Sequence, residues 1–416
     1  MATGGGRAAG PPRNRGAGSR RGQLEAGSFG HKSAPWLPSK SYQLRGAKDG
    51  KWRYASLITI ESLPWEILQR IFSYLDVSSL LCAGCVSKSF YQVSNDKALG
   101  ITWMVVLRER NGKEHIQEQS KAYFSDTSVT LYWNGAVWPH LSNLKALAVY
   151  GVIPLFPPSK TPAMNGPRRR SLLAEYNLTT LEESSMYIGG DKLVKLQCLY
   201  PGMLLGCWQE DGELAVIVAN LHFHQLIEKS TLGSATCLYS PPPHESVLDD
   251  VDPEYGLHGY HCHISLHSGK SSYMSGSFHS LFCRKDYIQN GFLRITVISS
   301  KKESQHSTIS GNLYFPWDTE FLKGNVQHCC LMDVTVLDEA EKPFWCVSSP
   351  VAMHSVCSPA IRYSYLGKWQ TIDYKDPEGK IHMELMWLEE EEQYYIVNLV
   401  LYLSVKKVNA WFATNY

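Results

Sequence analysis

The side chains best equipped for chemistry crowd into one stretch, HGYHCHISLH. It holds His258, His261, Cys262, His263 and His267, with His222 and His224 upstream and His279 and Cys283 downstream. Imidazole and thiolate are ligands of zinc, and a cysteine beside a histidine can act as a nucleophile. The run therefore supports one reading as a metal-dependent or thiol enzyme built on strands around residues 258–283. Strand geometry gives a plainer account. On a strand, His261, His263, Ser265 and His267 point one way and Cys262, Ile264 and Leu266 the other, a polar outer face over an apolar inner one. The spacing matches no closed zinc motif, and no paired Cys-x-x-Cys accompanies it. Cys82 and Cys85 form a lone Cys-x-x-Cys at an expected turn between helices, where small buried residues fit. Cys283 and Cys329-Cys330 lack the strained elbow and orienting acid that nucleophilic catalysis needs. Gly189-Gly190-Asp191 reads as a turn, since the lysine and helix of a phosphate-binding loop are missing. The sequence thus assigns no catalytic residue, no metal ligand and no cofactor.

What positions these residues is a chain with more than one texture. Of 416 residues, 44% are hydrophobic and 19% charged, enough to bury a sizeable core in more than one domain. Residues 1–50 carry nine Lys/Arg against Glu25 and Asp49, a net of +7, which leaves about −6 on the rest of a chain whose formal charge is +1. Such a balance offers no general field for nucleic acid. Residues 1–55 are rich in Gly and Arg with little to bury, and are expected to be a disordered basic leader. No apolar run approaches the roughly 20 residues of a membrane span. The eleven cysteines are scattered and odd in number. With no apolar signal core in the leader, they read as reduced thiols, and the expected location is intracellular.

From Leu63 a helical texture begins. Pro64 suits a first helical position, and Ile67, Leu68, Ile71, Phe72 and Leu75 recur at three-to-four spacing. Asp76 or Ser78 can cap a second short helix carrying Leu80 and Leu81, and Val86, Phe90 and Val93 continue an apolar side. A unit near 40 residues without disulfides or metal seldom hides enough apolar surface to fold alone, so part of that surface must face another polypeptide.

Leu63-Pro64, Glu66-Ile67-Leu68, Ile71-Phe72, Leu75-Asp76, Leu80-Leu81, Val86-Ser87-Lys88 and Asn95-Asp96 resemble the F-box family in order and spacing. The string LDVSSLLCAGCVSKSFY narrows the resemblance to one group within it. The resemblance implies a three-helix module over 58–105 that binds a Skp adaptor and, through it, a cullin–RING scaffold, while the rest of the chain selects clients for ubiquitin transfer. It further implies that Leu63, Pro64, Ile67, Leu68, Ile71, Phe72 and Leu75 form the adaptor-facing helix surface, and that Leu80, Leu81, Val86 and Phe90 complete core and interface. F-box sequences usually close with Leu-Trp. Here Leu99 precedes Gly100 and the tryptophan arrives at Trp103, so the third helix is expected to end differently.

A helical linker is expected over 106–125, and a mainly antiparallel β domain, sandwich or barrel, over 126–416, giving an α+β multidomain chain. MLLGCWQEDGELAVIVANL reads as a hairpin turning at Asp211-Gly212. FLRITVIS, CCLMDVTVLD, IRYSYLG, KIHMELMWL and YYIVNLVLYLSV read as further strands, around ten in all. Arg168-Arg169-Arg170 is expected in an exposed loop, and Glu389 to Glu392 at a hairpin tip. Aromatic side chains dominate β cores and interface anchors alike, and Trp317, Trp345, Trp369 and Trp387 are candidates to line a client surface.

Overall fold

The structure is a computed structural model that describes residues 60, 63, 65–72, 83, 86, 87, 89, 90, 102–135, 137–154, 168–231, 233–241, 257, 259–356 and 367–416. Helix α1 (Trp65–Phe72) lies in the expected helical segment. The leader, the expected strand IRYSYLG up to residue 366, and Pro64, Leu75, Leu80, Leu81, Cys82, Cys85 and His258 lie outside the described residues.

Everything described from Thr102 onward is β-rich, with 22 strands among the described residues, paired antiparallel. The first lobe runs through β1 (Thr102–Glu109), β2 (Glu114–Glu118), β3 (Lys121–Phe124), β4 (Ser128–Trp133), β5 (Leu144–Pro154), β6 (Arg168–Asn177), α2 (Leu181–Ser184), β7 (Ser185–Gly190), β8 (Val194–Leu199), β9 (Met203–Trp208), β10 (Leu214–His222) and α3 (Phe223–Thr231). Its strands form a four-stranded sheet, β2-β1-β5-β6, and a six-stranded sheet, β3-β4-β10-β9-β8-β7. The helical linker expected over 106–125 is therefore corrected to strand. Asn111-Gly112, with Gly112 at φ +89°, turns β1 into β2, and Trp103, Val105 and Leu107 alternate into the core. The Glu, Lys and Gln that favour helix there sit on solvent-facing strands. Trp103 belongs to this core, so the tryptophan that might have closed the helical module opens the β body instead.

The two sheets pack face to face. Trp103, Val105, Leu147 and Leu173 of one meet Val129, Leu131, Trp133, Leu205 and Ile217 of the other. The six-stranded sheet is apolar on its reverse face too, which explains why β4 and β10 lack alternation. There Tyr132, Leu196, Leu204, Val216 and Val218 meet Phe315, Trp317, Val326, Leu331 and Ala352 of the second lobe.

The second lobe comprises β11 (Tyr260–His267), β12 (Ser272–Leu281), β13 (Ile288–Gln289), β14 (Phe292–Ile298), β15 (Ser307–Ile309), β16 (Tyr314–Asp318), β17 (Lys323–Gln327), β18 (Cys329–Leu337), β19 (Pro343–Ser355), β20 (Lys368–Lys375), β21 (Gly379–Leu388), β22 (Gln393–Ser404) and α4 (Val405–Phe412). Ten of these strands form one sheet, β12-β11-β18-β19-β20-β21-β22-β14-β13, with β15 on β22. Inward residues from β12 at one end and β14 at the other share a single core, so the sheet curls on itself, and Val408 and Phe412 of α4 enter that core. The β16–β17 hairpin stands apart from the sheet. The expected hairpin at Asp211-Gly212 is β9–β10, and Glu389 to Glu392 form the turn between β21 and β22. Arg168 to Arg170, expected in a loop, pair with Pro154, Ile153 and Val152 along the edge strand β6, where charge discourages further strand pairing. Gly189 and Gly190 close β7, and only Asp191 makes the turn, its Oδ1 accepting the N–H groups of Leu193 and Val194.

The lobes meet around a buried carboxylate. Asp333, on the outer face of β18, is fully buried. Its Oδ2 accepts from Ser128 Oγ at 2.6 Å and His267 Nε2 at 2.8 Å, and its Oδ1 from Ser348 Oγ at 2.6 Å and Asn220 Nδ2 at 2.9 Å. Ser128 and Asn220 come from the first lobe, His267 and Ser348 from the second. The Gly269 N–H donates to His267 Nδ1, which fixes the tautomer with its proton on Nε2. Burial alone would raise the Asp333 pKa. His267, Ser128 and Ser348 outweigh it and hold the carboxyl well below the usual range. Close by, His222 Nε2 meets Thr335 Oγ1 at 2.8 Å, and Gly202, at φ +71°, lets backbones touch where a Cβ would fall 2.6 Å from the Asn220 carbonyl oxygen.

Two expectations follow. Asp333→Asn should lower stability by about 3 kcal/mol, because the donors around it lose their charged acceptor, read as a lower urea midpoint of tryptophan fluorescence. Burial also pushes the His222 ring down to about 4, against the pull of Asp333. An unfolded histidine takes up its proton near pH 6.5, so this contribution is complete above that pH and declines toward pH 4, by roughly 3 kcal/mol. Below that, protonation of Asp333 removes its own share. His222→Gln should flatten urea midpoints between pH 6.5 and 4 and leave the steeper loss at lower pH.

Candidate functional site

Two groups of residues present themselves. The first is the helical segment. Helix α1 places apolar side chains at 67, 68, 71 and 72, two i, i+4 pairs on neighbouring flanks of one helix. Leu68 and Phe72 are 3% exposed and pack with Phe90, and Leu63 and Ala83 lie against the same cluster. The Phe72 and Phe90 rings meet edge to face at 5.1 Å. Ser87 Oγ accepts the Phe90 N–H at 3.3 Å, capping the short turn that delivers Phe90. The other pair faces water: Ile67 is 46% and Ile71 37% exposed, and Val86 is more exposed still. The apolar stripe expected to face an adaptor as a whole is thus divided. Leu68, Phe72 and Phe90 hold the segment together, while Ile67, Ile71 and Val86 are left uncovered. Water around two adjacent isoleucines is unfavourable, and a persistent apolar flank on a packed helix suits a partner's surface.

The second group is the His/Cys-rich run. Cys262, Ile264 and Leu266 do point into the core of the curled sheet. The opposite face is not uniformly solvated, however. His267 and Ser265 are buried, because the six-stranded sheet covers that end of β11, and His267 serves the Asp333 centre. His261 Nδ1 and His279 Nδ1 lie 2.9 Å apart, and His263 Nδ1 lies 2.9 Å from Ser277 Oγ, while His263 Nε2 is buried without a partner. Among the described residues no three His, Cys, Asp or Glu side chains converge in a way that could hold a metal ion. The thiols are equally unsuited to nucleophilic attack. Burial pushes Cys262 and Cys329 up to about 12 and Cys283 up to about 11, and Cys330 well above its ordinary value, so each stays protonated at neutral pH.

Of the candidate tryptophans, Trp317 and Trp345 are core residues, their Nε1 atoms donating to Asp191 Oδ2 at 2.6 Å and Asp376 Oδ2 at 3.0 Å. Trp369 and Trp387 are half-buried. Reasoning from the sequence missed Asp333 and its donors, whose one local sign is an acid inside the apolar run CCLMDVTVLD.

Against this geometry stand the similarities to known proteins. An F-box-like family model matches residues 60–99, a span that contains α1, Phe90 and the exposed Ile67 and Ile71. F-box only protein 15 of Macaca fascicularis is 41% identical over 85% of this chain and 100% of its own length. The Homo sapiens protein of that name is 38% identical over 97% of this chain and 96% of its own, and the Mus musculus protein 33% identical over 84% and 99%.

Phe72→Ala should remove about 3–5 kcal/mol from the helical segment, read as lost hydrogen-exchange protection of the α1 amides. Ile71→Ala should change that protection by about 0.5 kcal/mol or less.

Proposed function

The chain belongs to the F-box only protein 15 family, and from that premise we propose that it is the substrate-recognition subunit of a Skp–cullin–F-box type ubiquitin ligase acting inside the cell. The observation that carries the reading is the pair Ile67 and Ile71, apolar and exposed on a helix whose other flank is already packed. A helix face of that kind suits a groove or a second helical surface, where i, i+4 anchors are the usual contacts. In this reading the segment closes as a three-helix module. Ile67, Ile71 and Val86 meet the Skp adaptor, Leu63, Leu68, Phe72 and Phe90 brace them from behind, and Pro64, Leu75, Leu80 and Leu81 complete the module. The adaptor joins the chain to a cullin–RING scaffold.

The β body from Thr102 onward holds the client. Its mechanism is positioning: a client lysine kept near a ubiquitin-charged enzyme reacts at a raised effective concentration, and this chain supplies no reacting group. Burial keeps the Cys262 and Cys329 thiols protonated, which favours that division of labour over a thiol enzyme built on these cysteines.

Co-purification tests the adaptor face. Ile67→Asp with Ile71→Asp should reduce recovery of the Skp adaptor by more than about tenfold, since each charge would have to be desolvated, and should leave the urea midpoint of the β body unchanged. Leu63→Ala with Pro64→Ala should weaken recovery while client proteins stay bound. Adaptor recovered at the wild-type level from the aspartate pair would remove the proposed interface.

A further inference from the structure

The tip of the β16–β17 hairpin and the loop after β4 put large apolar side chains into water. Phe321 is 82% and Val137 88% exposed. Both line one cavity of about 280 Å³, walled also by Trp138 and Trp208. These walls are held in place. Trp138 Nε1 donates to the Ala215 carbonyl at 3.1 Å, and Trp208 meets Trp317 edge-on at 5.8 Å. The rings are therefore not free to fall into the space between them.

The rim is acidic. Asp211, Glu213 and Glu320 line the cavity, and no lysine or arginine does. Glu213 is engaged with the Leu141 N–H and His140 Nδ1, and Asp211 Oδ1 accepts the Glu213 N–H. Glu320 has no hydrogen-bond or ion-pair partner among the described residues.

A large apolar side chain left in water forgoes roughly 2 kcal/mol, and a contiguous pair beside a preformed cavity marks contact with another molecule. Indole faces attract cations, carboxylates at the rim add to that attraction, and the same carboxylates repel acidic partners. We infer that this cavity docks a basic segment of a client protein: an arginine or lysine lies against Trp138 and Trp208 with its charge toward Glu320 and Asp211, and flanking apolar side chains cover Phe321 and Val137. Naming the occupant a client rests on the receptor reading above. The site itself narrows the clients to proteins that expose basic residues beside apolar ones, and disfavours acidic or phosphorylated segments.

The test uses the full-length chain and three labelled peptides of equal length, followed by fluorescence anisotropy: one alternating Arg with Leu and Trp, one with each Arg replaced by Glu, and one with Leu and Trp replaced by Ser. The first alone should bind, and added salt should weaken it. Glu320→Lys and Phe321→Ser, both at an exposed turn, should each weaken it about tenfold with unchanged urea midpoints. Equal binding of the basic and acidic peptides, or wild-type binding by both variants, overturns the site. Adaptor recovery from the same preparations separates the two readings. Variant-sensitive peptide binding without any adaptor supports the site and sinks the receptor assignment, whereas adaptor recovery with variant-insensitive binding sinks the site alone.

Discussion

One buried negative charge organises the β body. A carboxylate removed from water costs several kcal/mol unless donors surround it, and Asp333 finds its full set only when the two lobes are together, since each lobe supplies part of it. Burial of apolar faces supplies most of the attraction between the lobes, but it is indifferent to small shifts in register. Directional bonds to Asp333 are not. Charge-assisted hydrogen bonds contribute about 1.5–3 kcal/mol each, and a displacement that breaks one leaves a charge in a medium unable to solvate it. His222 with Thr335 and the backbone contact at Gly202 sit on the same seam, so three different interactions fix one relative placement of the lobes.

That rigidity matters for the proposed role. A receptor that acts by positioning gains nothing from a body whose halves slide, because the effective concentration of a held group falls as its range of positions grows. The aromatic cavity at the β16–β17 tip benefits from the same packing: Trp208 is held by Trp317, Trp317 is anchored to Asp191, and the surrounding face is clamped between the lobes. The helical segment follows another logic. Its small cluster of Leu68, Phe72 and Phe90 supports one helix and leaves Ile67 and Ile71 exposed.

Much of this was legible in the residues. The Leu-Pro helix start and its three-to-four spacing marked the helical segment, and Asp211-Gly212 between apolar runs marked a hairpin. The failures have physical causes. The strand count fell short in part because β4 is buried on both faces and lacks the alternation that identifies a strand. The stretch 106–125 looked helical because Glu, Lys and Gln favour helices, yet Asn111-Gly112 carried the turn that makes it a hairpin. The Asp333 centre could not be found locally, because Ser128 and its acceptor are 205 positions apart. For the candidate site, the spacing located the apolar helix but not which flank its own chain covers; that depended on Phe90, delivered by a separate turn.

The six-stranded sheet, apolar on both faces, has a consequence for synthesis. Its central strands β9 and β10 leave the ribosome before Phe315, Trp317, Val326 and Leu331, the residues that cover its reverse face. At about 5–20 residues per second, the delay of about a hundred residues leaves that face bare for on the order of ten seconds. During that interval the nascent chain presents an apolar sheet face to its surroundings. A chaperone able to shield it would decide how much of the newly made protein reaches its folded form.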